Sequence, residues 1–127
     1  MLGFGQASDM MSLAPKAQLT SSIDNWAPYY VERAKAAIDG TWKSGDVWGG
    51  LMSEMLTMAA YANMPDDVKA AAQAAEDGVK NGQIIIFKGP IKDQDGNLKV
   101  QDGQALGDGD IAGMDWLAEG VEGKLPS

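Results

Sequence analysis

Apolar and polar positions along the chain change period several times, and each change predicts an element. Leu2 to Gln6 is a short apolar run closed by the polar Ala7-Ser8-Asp9, which predicts a buried strand and a loop. Pro15 breaks any helix over Met10 to Ala14. Ala17 to Ile23 then alternates. Leu19, Ser21 and Ile23 fall on one face and Gln18, Thr20 and Ser22 on the other, as in a second strand. Both strands end in polar residues, which predicts a neighbouring parallel pair whose carboxyl ends, with Asp9 and Asp24, face one cleft. From Trp26 to Asp39 the period becomes helical. Tyr30, Val31, Ala34, Ala37 and Ile38 form one apolar stripe, Asp24 or Asn25 stands where a cap belongs, Pro28 falls in the first turn, and Gly40 follows the end.

Farther along, Val47 to Thr57 fits neither period, and Met52, Met55 and Met58 read as core filler or as a soft ligand surface. Asn63-Met64-Pro65-Asp66-Asp67 starts a second helix, which runs through Val68 to Lys80 and stops near Asn81-Gly82. Ile84 to Phe87 reads as a β-branched strand. Gly89 to Gln101 reads as a hairpin that turns at Asp95-Gly96. Asp108 to Gly120 reads as a helical turn and a short segment, with Met114, Trp116 and Leu117 docking into a core.

The elements are those of an α/β protein, and 127 residues suffice for one domain with a core. Composition then removes function classes. There is no His and no Cys, so disulfides, thiolate metal sites and the commonest general base are absent. A formal net charge of -8 argues against binding the nucleic-acid backbone. No apolar run reaches the roughly 20 residues of a membrane-spanning helix, and Met1 to Gly5 lacks the features of a signal peptide.

Local motifs add little. Gly3-Phe4-Gly5 resembles the start of a dinucleotide fingerprint, but Ser8 stands where the third glycine belongs. Asp93, Asp95 and Asn97 alternate as in a calcium loop. Counted from Asp93, the positions that need Gly and Glu hold Leu98 and Gln104, so a metal-free hairpin turn is expected. Thr41 to Gly50 sets Trp42 and Trp48 among three glycines, which suits a core-packing turn or a backbone passing close to a partner.

Four blocks occur in order. Ala7-Ser8-Asp9-Met10 leads into Ala14 to Thr20, Asn25 to Val31 follows, then Gly40 to Gly50, and last Phe87 to Gly96 with Met114-Asp115-Trp116. Together they resemble the C-terminal part of the basic-membrane-protein family, the PnrA-like substrate-binding proteins of bacterial ABC transporters. The resemblance implies the C-terminal portion of a type I periplasmic-binding fold, a parallel sheet with flanking helices plus a β-hairpin. Strands of the C-terminal lobe would occupy 1–24 with a hinge near 24, and 25–127 would hold helices, strands and the closing hairpin. On this reading the chain is a fragment of a two-lobe domain, and by itself it folds poorly and does not bind ligand.

The resemblance further implies a non-catalytic solute-binding component that takes a small polar ligand, purine nucleoside-like, in an interlobe cleft. Its partners would be that ligand and a membrane permease, with no cofactor. The full-length parent would be periplasmic or lipid-anchored at the cell surface. The family's strand-end acid falls on Ala7 and its lysine on or near Asp24, so the ligand-binding candidates here are Asp9, Asp24, Asn25 and Trp26. Asp9 and Asp24 would grip ribose hydroxyls or else cap the turn and the helix that follow them, and Trp26 would stack on a ring or pack beneath the helix. Two other functions remain open. Trp42, Trp48 and the hairpin would make a docking surface in an interaction module, and Asp9 with Asp24 would make the acid and base of a carboxylate enzyme.

Overall fold

Strand β2 (Gln18–Asp24) organises the first of two units into which the chain divides, Met1–Ile84. The computed structural model describes residues 1–125. Strand β1 (Gly3–Gly5) pairs with β2 in parallel, and β3 (Leu56–Met58) pairs antiparallel along its other edge. The parallel pair is the arrangement that the sequence predicts. In its register Gly5 faces Ser21, and a Cβ on Gly5 would collide with the Ser21 hydroxyl and press on the Met10 side chain. Glycine is what allows this close approach.

Burial in these strands departs from the pattern. Leu2 and Phe4 are exposed, because β1 is an edge strand and no other element packs on it. In β2 the buried residues are the polar Gln18, Thr20 and Ser21, whereas Leu19 and Ile23 are half-buried. A strand paired along both edges is enclosed whatever its side chains, and its buried polar groups are only partly satisfied, since the Ser21 hydroxyl and the Gln18 side-chain oxygen have no partner among the described residues. The Thr20 hydroxyl donates to the Ala59 carbonyl at 2.8 Å, and the Gln18 amide donates to Asp9. Asn63, at φ 53°, donates to the carbonyls of Pro15 and Gln18 and ties the loop ahead of the second helix to the start of β2.

Helix α1 (Ala27–Ile38) forms where predicted, with Pro28 in its first turn. The expected cap does not. Trp26 occupies the cap position without a side-chain bond, and Asn25 turns its amide to the Glu54 carbonyl. None of the helix residues is buried. Tyr30, Val31 and Ile38 are exposed, and no described element packs against them.

The segment after α1 also leaves the core. Trp42 and Trp48 are exposed in irregular chain, so they do not form a core-packing turn. The ambiguous stretch beyond resolves into a 3-10 turn at Leu51–Ser53, Glu54 at φ 59°, and β3. Helix α2 (Asp66–Lys80) has Asp66 and Asp67 in its first turn and Lys80 in its last, matching the helix dipole at both ends, and it rests on the 3-10 turn.

Ile84 to Phe87 is not a strand. A strand requires a ladder partner, and only the end of this run finds one, where the Phe87 carbonyl accepts the Leu106 N–H and Lys88 forms an isolated bridge with Ala105. The Ile84 N–H donates to Gly78, within the first unit, and the Lys88 N–H to Ile85, within the second.

The second unit begins at Ile85. Strands β4 (Ile91–Lys92) and β5 (Leu98–Val100) form the predicted antiparallel hairpin, with Gly96 at φ 81° in its turn. Asp93 closes that turn. Its Oδ1 accepts the N–H groups of Asp95 and Asn97, and its Oδ2 accepts the Asn97 amide at 3.0 Å. The Asn97 side chain, the largest cause, and these backbone donors hold the Asp93 carboxyl below the usual range. The alternating Asp93, Asp95 and Asn97 are thus a turn built on one carboxylate. Val100 is buried, while Met114, Trp116 and Leu117 are half-buried around the short helix α3 (Asp108–Ala112) and the chain beyond it. The described residues make a mixed α/β structure with small sheets.

Candidate functional site

Parallel strands that leave a sheet side by side place their following loops together, and in α/β sheets that carboxyl edge is where small ligands sit. Here the Asp24 N–H donates to the Ala7 carbonyl at 3.1 Å, which sets the loop after β1 beside the exit of β2. The Asn25 N–H donates to Met55 at 2.8 Å, and its Nδ2 donates to the Glu54 carbonyl at 2.9 Å. Asn25 is therefore anchored at both backbone and side chain. Trp26 follows and gathers Tyr29 and Tyr30 into a cluster with ring centroids 5.6 to 6.2 Å apart. The Arg33 guanidinium lies 5.1 Å over the Tyr29 ring. Trp26 keeps 48% of its surface exposed, so part of an indole face is open to a ligand.

Of the four candidates, Asp24, Asn25 and Trp26 are consecutive at this edge. Asp9 is not with them. Its Oδ1 accepts the Gln18 amide at 2.8 Å and the Met11 N–H at 2.9 Å, and these bonds, Gln18 first, lower its pKa. Asp9 is only two residues beyond Ala7, whose carbonyl accepts the Asp24 N–H, but its carboxylate is turned to the Gln18 side chain and the Met11 N–H rather than to Asp24. An acid–base pair of Asp9 and Asp24 has no geometric support.

Beside Asn25 lies an open cavity of about 420 Å³. Glu54, Thr57 and Lys80 supply its other polar groups, and Leu51, Met52 and Leu56 its apolar wall. Lys80 is held from behind. Its ammonium lies 2.6 Å from Glu76 Oε1, and the Glu76 side chain is 7% exposed against 43% for Lys80. Glu76 Oε2 accepts the Tyr61 hydroxyl at 3.0 Å and the Gln73 amide at 3.3 Å.

Burial opposes the charge on Glu76, but the bonds from Lys80, Tyr61 and Gln73 outweigh it, and the carboxyl sits below its ordinary range. Burial, and then the bond to Glu76, push Tyr61 up to about 12. The Glu76 bond, with the charges of Glu76, Asp77 and Glu54 acting against desolvation, raises Lys80. Lys80 is thus a fixed ammonium at neutral pH. Glu54 and Asn25 also line the cavity, and the Asn25 side chain keeps an oxygen and one amide proton besides the proton given to the Glu54 carbonyl. Such a mixture suits an uncharged ligand that has both donors and acceptors.

Sequence reasoning located Asn25 but missed Glu54, Thr57, Lys80 and their support. Only the i, i+4 spacing of Glu76 and Lys80 was a signal, and it is the spacing of any solvated helix pair. Among the described residues, no group of three or more His, Cys, Asp or Glu side chains could hold a metal ion. No described helix is long and apolar enough to cross a membrane.

No family model matches the chain. A purine-binding protein of Brucella abortus is 48% identical over 123 residues, covering 97% of this chain and 35% of that protein. The chain spans about a third of the length of this curated relative. A solved structure, that of a transcriptional activator of the comK gene from Bacillus halodurans, matches with a TM-score of 0.55 at 20% identity, over 65% of this chain and 30% of that one. That likeness concerns the fold alone. At nearly half identity over almost its whole length, the chain is a homologue of a purine-binding protein.

Proposed function

We propose that this chain is part of a solute-binding protein that takes a purine, as base or nucleoside, at the carboxyl edge of β2. The observation that carries the reading is the 48% identity to a protein named for purine binding. The local geometry supports it with a parallel strand pair, an anchored Asn25, a half-open Trp26 and a cavity with room for a bicyclic ring. In this reading Trp26 offers a stacking face, Asp24 accepts from ribose hydroxyls or ring N–H groups, and Asn25 fixes orientation. The function is binding and release without bond chemistry. In the whole protein we assign the role of substrate-binding component of an ABC importer, which delivers its ligand to a membrane permease from the periplasm or from a lipid anchor. The exposed Trp42 and Trp48 favour a second reading, in which this face docks another protein.

Calorimetry with hypoxanthine, guanine, adenine and their nucleosides tests the proposal. It is applied to the 127-residue chain and to the Brucella protein carrying these residues in place of its own matching stretch. Stacking on an aromatic ring contributes about 1–3 kcal/mol per base, so Trp26→Ala should weaken binding roughly 5- to 150-fold. A folded chimera that binds no purine, or one that ignores Trp26→Ala and Asn25→Ala, would sink the reading and leave docking as the better account.

A further inference from the structure

The apolar wall of the cavity beside Asn25 carries a sulfur-bearing side chain that water can reach. The chain has 8 methionines. Apart from Met1 at the start of the chain, only Met52 is exposed among the described residues, with 69% of its surface accessible. The neighbouring Met55 is packed, and its sulfur lies so close to Gly49 that a Cβ there would collide with it. The Met10 side chain presses on Gly5 in the same way. Met11, Met58, Met64 and Met114 are half-buried. Met52 belongs to the 3-10 turn at Leu51–Ser53, and its Cε lies 3.7 Å from where a Cβ on Gly82 would stand. Its side chain therefore reaches the residues that follow α2, and with Leu51 and Leu56 it forms the cavity's apolar wall.

A thioether reacts with peroxide without first losing a proton, so access to the sulfur decides which methionine reacts first. The sulfur lone pair attacks one oxygen of hydrogen peroxide. The S–O bond forms as the O–O bond breaks, and the departing hydroxide takes the remaining proton and leaves as water. The sulfur gives up two electrons and the peroxide gains them. The product, methionine sulfoxide, is polar and chiral where the thioether was apolar and flexible. In this wall it sets a strong hydrogen-bond acceptor among apolar groups, whichever way a ligand lies. A planar base that loses water against Leu51, Met52 and Leu56 would then desolvate that acceptor without supplying a matched donor. Resting on the purine-binding reading above, we propose that Met52 is an oxidation site, that its sulfoxide lowers the cavity's affinity for ligand, and that reduction of the sulfoxide restores it.

The experiment adds hydrogen peroxide at pH 7 to the chain and to the chimera and follows each methionine by peptide mapping with mass spectrometry. Met52 should oxidise at least about threefold faster than Met10, Met11, Met55, Met58, Met64 or Met114, in keeping with its exposure. Calorimetry on the chimera with hypoxanthine and with adenine should show affinity about three- to tenfold weaker once Met52 is oxidised, the scale of one poorly matched polar group. Treatment with the two methionine sulfoxide reductases, one for each epimer, should recover it. Met52→Gln, which puts a side-chain amide oxygen into the wall, should weaken binding without peroxide. Whatever affinity Met52→Leu begins with, peroxide should leave it there. Faster oxidation of another internal methionine, affinity that survives oxidation of Met52, or an equal loss in Met52→Leu overturns the inference while purine binding itself stands. A folded, untreated chimera that binds neither base overturns the purine reading, and this inference with it.

Discussion

Glu76→Ala removes one carboxylate that three side chains share, so its effect reads the energetics of the whole cluster. Glu76 is nearly buried, and it accepts from Lys80, Tyr61 and Gln73. A hydrogen bond to a charged group contributes about 1.5–3 kcal/mol, and the loss of several sets the upper end. Two effects offset this. Lys80 is 43% exposed and returns to water when released, and the carboxylate's own desolvation disappears. The net loss should be about 1–3 kcal/mol. For a chain of this length that is a fall in Tm of roughly 3–12 °C. Thermal unfolding followed by circular dichroism at pH 7 measures it.

The pH dependence has a definite sign. Glu76 has a lowered pKa in the folded chain, so its contribution is present above the unfolded carboxyl value, about 4.3, and is lost as pH falls through the folded value. The gap between the parent and Glu76→Ala should therefore close in acid. Tyr61, raised to about 12, contributes fully below its unfolded value near 10 and loses that contribution as pH rises toward 12. If Glu76→Ala melts with the parent at pH 7, or the gap is the same at pH 7 and pH 3, the cluster does not act as described.

Three further outcomes are expected. Gly5→Val, which drives a branched side chain into Ser21 and Met10, should destabilise the first unit by about 1–3 kcal/mol in urea unfolding, and parent-like stability would refute the close approach of β1 to β2. Asp93→Ala should weaken the β4–β5 hairpin, read as faster amide exchange at Asp95 and Asn97, whereas calcium or a chelator should leave the parent's Tm unchanged because both carboxylate oxygens already accept from the turn. Ile38→Lys should change stability by no more than about 0.5 kcal/mol, as at any exposed site, and a multi-kcal loss would show that the α1 stripe is buried after all.

The parts of the fold legible in the sequence are those fixed by neighbouring residues. Pro65, Asp66, Asp67 and Lys80 mark both ends of α2 without reference to the rest of the chain, and Asp95-Gly96 marks the hairpin turn. The parallel pairing of β1 with β2 was also legible, from two apolar runs that end alike. Burial was not, because it depends on what lies opposite. Thr20 is buried because the Ala59 carbonyl meets its hydroxyl, and nothing near Thr20 in sequence says so. Ile84 to Phe87 has the composition of a strand, yet composition does not supply a ladder partner. The site divides in the same way. Asn25 could be placed by following a strand to its end, whereas Lys80 reaches the cavity only because α2 ends beside the turn at Leu51–Ser53.

The unburied apolar surface bears directly on how binding will be measured. A folded chain of 13.4 kDa exposes about 6,500 Å², and this one exposes 9365 Å². Treating the two units as separate globules raises the expectation only to about 7,700 Å², so the excess does not depend on how the units are arranged. What remains, roughly 1,600 Å², is about twice what one partner contributes to a standard protein interface. The exposed Phe4, Tyr30, Ile38 and Trp48 are part of it. Burying a side chain of this kind contributes roughly 1.5–3 kcal/mol, and a few of them equal a normal stability margin of about 5–15 kcal/mol. If the isolated chain orders its site only part of the time, the loss is read directly in binding. Apparent affinity falls by that same fraction, so a site ordered one-tenth of the time looks about tenfold weaker than it is. The ratio of affinities for any two purines escapes this penalty, because both ligands draw on the same ordered population. Selectivity is therefore the sounder measure of the cavity's chemistry in the isolated chain, and absolute affinity belongs to the chimera.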